Sequence, residues 1–186
     1  MTLLDIKKKV LKLIEEIDDT QEALTNDPDI AEKMNTVINS VMFELVRMRK
    51  IATSATESVA DGQVFDMNTL DNFYQLRLLR FVNESGDDAD YEIIENMVVF
   101  KDNGTATFFY YKYPEAITDE TADDYEFELP ADALEILPYG VAGDLLKSDV
   151  STQYGAIYSQ RYETMLQRLD PRYSMGSYTV EGGLNI

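Results

Sequence analysis

Carboxylates are the most numerous side chains of this sequence that could take part in chemistry, whereas His and Cys, two common catalytic groups, are missing. The 186 residues include 35 Asp and Glu but no His and no Cys. This composition excludes cysteine proteases, redox thiols, zinc fingers, catalytic triads that use His and metal sites with His ligands. Carboxylates alone could form general acid–base pairs or hold a cation through their oxygens.

Two acidic clusters are candidates for a cation site, and neither has the spacing that such a site needs. Residues 88–92 (DADYE) alternate acidic positions as an EF-hand loop does, but the glycine and the downstream glutamate of that loop are missing. Asp119, Asp123 and Asp124 match no ligand spacing. We therefore interpret both clusters as solvated loops and expect neither a metal nor a cofactor.

Motifs for phosphate binding and nucleophilic catalysis are also missing. The sequence contains no GxGxxG, GxxxxGK[ST], GxSxG or SxxK motif. Sixteen Lys and Arg against the acids give a net charge of −19, which disfavours DNA binding through phosphate neutralisation. We expect no enzymatic activity and no catalytic residue, and the composition favours an interaction or assembly protein.

Helical periodicity occurs at both ends of the chain. The predicted helices cover residues 2–17, 28–51, 131–137, 141–147 and 152–169. Asp27 can cap the second helix, and Pro28 fits the first helical position. The first two helices predict an antiparallel hairpin, and residues 138–140 (PYG) predict a corner between two short helices.

In the middle of the chain, apolar residues recur at every second position and aromatic residues become frequent. Both features are typical of strands. The predicted strands cover residues 64–65, 74–82, 91–94, 97–100, 105–113 and 125–129. Residues 101–104 (KDNG) predict a hairpin turn. The fold class is therefore α+β, in which an N-terminal helical hairpin and C-terminal helices pack together around a small antiparallel sheet or hairpin insertion.

We expect one domain over residues 1–169, followed by an extended arm. The domain is predicted to be helical over 1–52 and 130–169 and β-rich over 63–129. The arm covers residues 170–186, which contain three glycines and no helical period. Such arms commonly join neighbouring copies by adding a strand to a sheet.

The aromatic strand at 105–113 (TATFFYYKY) predicts one face in the core and one face at an interface. A base-stacking platform is disfavoured, because residues 84–135 contain sixteen acids and only two lysines. Tyr110 and Lys112 should point away from Phe109, Tyr111 and Tyr113. We assign an assembly interface to the following residues: Tyr110, Lys112, Tyr173, Tyr178 and Val180.

An acidic surface has three interpretations. It can keep the chain soluble, mimic DNA to occupy a basic protein groove, or line a passage through which DNA slides without sticking. A passage requires a ring, and a ring requires head-to-tail contacts between copies. No stretch approaches the roughly eighteen apolar residues of a membrane span, and the N-terminus lacks the pattern of a signal peptide, so we expect no membrane partner.

The C-terminal third contains a strand ending in YYKYP, an acidic linker that begins with IT, and LPYGVAGDLLKSD before a Tyr-rich helix. With these segments it resembles small virion proteins of tailed bacteriophages and prophages, the head–tail connector (adaptor) proteins. The N-terminal segment NDPDIAEKMNTVINSVMFELVRMRKI is similar to the helical start of such proteins.

This resemblance implies a structural protein made in the bacterial cytoplasm and built into the virion neck. It would form a homo-oligomeric ring, often of twelve copies, on the portal protein. The ring would also contact a tail or neck protein. Double-stranded DNA would pass through the ring without specific binding. The alternatives are another neck or tail structural protein, and an acidic DNA mimic or inhibitor that binds a basic DNA-binding partner.

Overall fold

The computed structural model describes residues 1–16, 24–25, 27–148 and 153–169. In these residues the helices are α1 (Leu3–Leu13), α2 (Pro28–Met48), α3 (Ala131–Leu145) and α4 (Tyr154–Arg168). The strands are β1 (Ile51–Val59), β2 (Val64–Asp66), β3 (Phe73–Asn83), β4 (Tyr91–Ile94), β5 (Met97–Phe100) and β6 (Gly104–Lys112). Helices at both ends and strands between them confirm the predicted α+β class.

The first two helices begin where the sequence places their caps. The Thr2 hydroxyl accepts a hydrogen bond from the Asp5 N–H, and the Asp5 carboxylate accepts one from the Thr2 N–H. Asp27 caps α2 as predicted, and Pro28 occupies the first helical position. Helix α2 ends at Met48 instead of 51, because the chain enters β1 at Ile51. The β-rich part therefore begins at Ile51 and not at 63.

Helix α3 runs without interruption through Pro138, so the predicted corner at 138–140 is wrong. Proline lacks the N–H that would bond to the carbonyl four residues earlier, which normally ends a helix. Here the helix is apolar on nearly every side, and nine of its fifteen residues are buried. Burial on three sides keeps the segment helical, because packing of the surrounding helices outweighs the lost hydrogen bond.

Helix α3 is the centre of the helical core. Helices α1, α2 and α4 each pack against α3, and the buried residues of α1 and α2 belong to the same apolar cluster. On α4, the buried Tyr162 hydroxyl donates a hydrogen bond to Glu44 of α2 at 2.8 Å. Burial, together with this bond, raises the pKa of the Tyr162 phenol far above its ordinary value.

The strands form two three-stranded antiparallel sheets. The first sheet has the order β1-β6-β3, and the second sheet has the order β2-β5-β4. The hairpin predicted at 101–104 is wrong, because β5 and β6 belong to different sheets and the chain crosses between them there. The two sheets pack face to face through an apolar core in which Phe65 stacks on Phe108 and Phe81 meets Phe100 edge-on.

An aromatic junction joins the β-sandwich to the helical core. The Tyr113 ring lies 5.8 Å from Phe43 of α2 and 4.7 Å from Tyr74 of β3, measured between ring centroids. The chain then follows the helices as an irregular segment, held by Asn39, which exchanges two 2.7 Å hydrogen bonds with the backbone of Ile117. The strand predicted at 125–129 is reduced to a single bridge between Thr2 and Glu126.

Replacing Gly140 by alanine should destabilise the fold by about 1–2 kcal/mol. Alanine favours a helix over glycine by about 1 kcal/mol, but a Cβ at Gly140 would lie 2.6 Å from Val41 Cγ1 and 2.9 Å from the Tyr162 ring, an overpacking that typically costs about 1–3 kcal/mol. Urea denaturation measures the difference. The exposed Ser40→Ala on α2 is the control; a Gly140→Ala protein more stable than the wild type would contradict this close packing.

Candidate assembly surface on the first sheet

Strand β6 is the central strand of the first sheet, and its two faces differ as the alternation predicts. Phe108 and Tyr110 point into the sandwich, whereas Phe109 and Tyr111 point outward. The assignment of Tyr110 to an interface is therefore corrected. Its side chain is only 3% exposed, its ring packs against Phe73 at 5.8 Å, and burial raises the pKa of its phenol.

The outward face of the first sheet is the candidate functional surface. In an antiparallel sheet, residues directly opposite each other share a face, so the strand registers identify its members. We call it the acid-free face. Its residues are Ala52, Ser54, Thr56 and Ser58 of β1, Thr105, Thr107, Phe109 and Tyr111 of β6, and Gln75, Leu78, Arg80 and Val82 of β3.

The twelve strand residues of this face include no carboxylate, although the chain as a whole has a net charge of −19. The acid that strand pairing places beside them is Asp88, which bridges Val82 at the outer edge of β3. The charged member of the face is Arg80, which is exposed and makes no ion pair within the described residues. At the helical end Lys50 adds a second positive charge, because its ammonium lies 4.8 Å from the centre of the Tyr111 ring. The face is thus mildly basic on a strongly acidic protein.

Large apolar side chains are exposed at the centre of the acid-free face. Leu78 is 57% exposed and Phe109 is 37% exposed, and the two residues lie directly opposite each other on neighbouring strands. Small Ser and Thr side chains on β1 leave these two groups uncovered. An apolar centre surrounded by small hydroxyl side chains, without charge repulsion, is typical of a protein–protein contact surface.

Lys112 does not belong to this exposed face. Its ammonium contacts the Glu128 carboxylate at 2.6 Å and the Asp71 carboxylate at 3.5 Å, and its side chain is 14% exposed. The hydrogen bond to Glu128 raises the pKa of the Lys112 ammonium, with a further contribution from Asp71. Lys112 therefore closes the junction between sandwich and helices within one chain, and its place in an assembly interface stays a prediction.

The other predicted interface residues lie outside the described residues: Tyr173, Tyr178 and Val180. The predicted arm at 170–186, to which they belong, lies outside them too.

The acidic clusters that were considered for a cation do not gather into a site. Within the residues that the structure describes, no group of three acidic side chains is arranged to hold a metal ion. Asp123 instead lies 3.7 Å from the Lys7 ammonium on α1, and Asp119 accepts a 2.9 Å hydrogen bond from Asn35 on α2.

Sequence reasoning missed β1 and with it a third of the acid-free face. The strand (IATSATESV) alternates small polar residues with other small residues, so it lacks the apolar contrast that marks a strand. A different signal was present. Residues 45–56, 72–83 and 103–114 contain no Asp or Glu, and each of these runs includes most of one strand of the first sheet.

Each helix in the described part of the chain is too short or too polar to cross a bilayer.

Comparison with known proteins finds no family model and no curated protein that matches the chain. The interpretation of the acid-free face therefore depends on its own residues.

Replacing Lys112 by methionine should destabilise the chain by about 1 kcal/mol at neutral pH, because Glu128 and Asp71 lose their shared cation. A raised pKa in the folded state gives stability that is present below the unfolded lysine pKa of about 10.4 and is lost as pH rises through the higher folded pKa. The difference between the two proteins should therefore shrink in strong alkali.

Thermal denaturation from pH 7 to pH 11 measures this difference. Lys101→Met is the matched control. Lys101 is 55% exposed and its ammonium pairs with the exposed Glu92 at 3.6 Å, so its loss should change stability little. Equal effects of the two substitutions at pH 7 would contradict the role given to Lys112.

Proposed function

We propose that this chain is a virion structural protein, a head–tail connector that assembles into a ring on a portal protein and lets DNA pass through an acidic lumen. The observation that carries the proposal is the acid-free face, an exposed and partly apolar sheet surface on a chain of net charge −19. The resemblance of the C-terminal segments to connector proteins supports the same function.

Electrostatics explains why an assembling protein of this composition needs such a face. Two copies that each carry a charge of −19 repel each other, and this repulsion is strongest where carboxylates approach closely. Contact through strands that carry Arg80 and no acid reduces the number of close carboxylate pairs. Leu78 and Phe109 then make the free energy of association favourable, because contact removes their exposed apolar surface from water.

The acids concentrate on other parts of the surface. The irregular segment over 114–129 carries seven Asp and Glu and no Lys or Arg, and most of these acids are exposed. In a ring, carboxylates that face the lumen would repel the phosphates of passing DNA, so the DNA would move without binding. The same segment lies on the helical core, so it would occupy a fixed place in every copy.

The first expected result is reversible assembly that salt strengthens. Repulsion between acidic copies is screened as ionic strength rises, so sedimentation velocity should show larger species at 0.5 M NaCl than at 0.05 M NaCl, and electron microscopy should show closed rings. The Leu78→Thr/Phe109→Thr variant should assemble at least tenfold more weakly. It should lower the melting temperature only modestly, because Leu78 is 57% exposed and Phe109 is 37% exposed, and Thr suits a strand.

Ile157→Gln is the control for that variant. Ile157 is 53% exposed on α4, so it tests whether removal of any exposed apolar side chain has the same effect. A chain that stays monomeric at all salt concentrations, alone and with a portal protein, would contradict the connector function. If that monomer instead formed a stoichiometric complex with a basic DNA-binding protein and competed with DNA, it would be a DNA mimic.

The second expected result is that the chain does not retain double-stranded DNA. Electrophoretic mobility of a DNA duplex should be unchanged by micromolar protein even at 20 mM salt, where phosphate contacts are strongest. Converting exposed acids of the 114–129 segment to lysine, as in Glu115→Lys/Glu120→Lys, should slow the duplex if assembly holds many copies side by side. Retention of DNA by the wild-type protein would contradict an acidic passage.

A further inference from the structure

The second sheet also has an exposed outward face. Its charged residues have the opposite sign to those of the acid-free face. The strand registers place six residues on it, which we call the small-sheet face. Its residues are Val64 and Asp66 of β2, Met97 and Val99 of β5, and Glu92 and Ile94 of β4. Four of the six are apolar, and the two charged residues are both acids.

Three apolar residues of the small-sheet face are strongly exposed. Val64, Ile94 and Met97 are each more than 40% exposed. The centre of this face is therefore an apolar patch, with Asp66 and Glu92 at its edges. A patch of this kind is uncommon on a protein that has no contact there.

The two faces point in opposite directions. The inner sides of both sheets pack against each other through one core, with Phe65 stacked on Phe108 at 4.7 Å. The acid-free face and the small-sheet face are thus the two outer sides of one sandwich. Surfaces on opposite sides of a protomer can form head-to-tail contacts, in which each copy uses one face towards each neighbour.

We propose that the acid-free face of one copy binds the small-sheet face of the next, so that the sandwich supplies both halves of a head-to-tail interface. This proposal rests on the proposed function and names the contact that builds the ring. The charges of the two faces favour contact between unlike faces of two copies. Two acid-free faces would bring two surfaces of the same positive sign together, with Arg80 and Lys50 on each. Two small-sheet faces would bring Asp66 and Glu92 of both copies together, and Lys101, 3.6 Å from Glu92 in the same chain, would offset this repulsion only in part. The mixed contact places cations against carboxylates and joins the apolar patch to Leu78 and Phe109.

Cross-linking of single-cysteine variants tests this contact, since the chain has no cysteine of its own. Ser54→Cys places a thiol on the acid-free face opposite Phe109, and Val64→Cys places one on the small-sheet face. With a short bis-maleimide linker, each variant alone should give little dimer, and an equimolar mixture should give at least tenfold more. The Ser54→Cys/Val64→Cys chain should give a ladder of larger species.

Charge reversal gives a second test, which distinguishes a specific contact from non-specific cross-linking. Arg80→Glu on the Ser54→Cys copy should reduce the mixed dimer several-fold, and Glu92→Arg on the Val64→Cys copy should restore much of it. Glu163→Arg on α4, outside both faces, is the control and should restore nothing. Circular dichroism of each exposed-site variant establishes that it is folded.

The outcomes separate this proposal from the connector function. Dimer from Ser54→Cys alone that equals the yield of the mixture would overturn the head-to-tail contact in favour of a symmetric one. No cross-link in the mixture, under conditions where the wild type forms rings, would overturn the contact and leave the connector function standing. A mixed dimer without rings in the wild type would support the contact and contradict the closed ring.

Discussion

The alternation of side chains along β6 is the constraint on which the rest of the β-sandwich depends. Phe108 and Tyr110 fill the core between the sheets, so the residues between them must point outward. Because Phe109 and Tyr111 are also aromatic, the strand cannot be covered by core on one side without exposing an aromatic row on the other. The exposed row is thus a direct consequence of the sequence TATFFYYKY once one of its faces is buried.

Helical periodicity predicted the helices well, whereas the strand pairing could not be predicted. The caps at Thr2 and Asp27 and the apolar stripes are local features, so they are visible in the sequence. β4 and β5 form a local hairpin, but the pairing of β5 with β2 is non-local, and an Asn-Gly turn beside β5 does not reveal it. Continuation of α3 through Pro138 depends on the three helices around it, which local turn chemistry does not include.

Only part of the candidate surface could be predicted from the sequence, for a similar reason. Alternation established that β6 has two different faces, but with aromatic residues on both it could not say which face is buried. Tyr110 was therefore placed on the wrong side. The ion pairs of Lys112 could not be predicted, because its partners Asp71 and Glu128 are far away in sequence. The distribution of acids was the better guide, since carboxylates are missing from runs that later form one continuous surface.

The same sandwich also bears on how many copies a ring would hold. If neighbours contact through opposite faces of a sandwich, the rotation from one copy to the next equals the wedge angle between those faces. A small wedge angle would need many copies to close a ring. The helical core lies at one end of the sandwich, where Tyr113 packs against Phe43 and Tyr74. Because this aromatic junction fixes the core beside β6, it would help to set the tilt between neighbouring copies of the proposed ring.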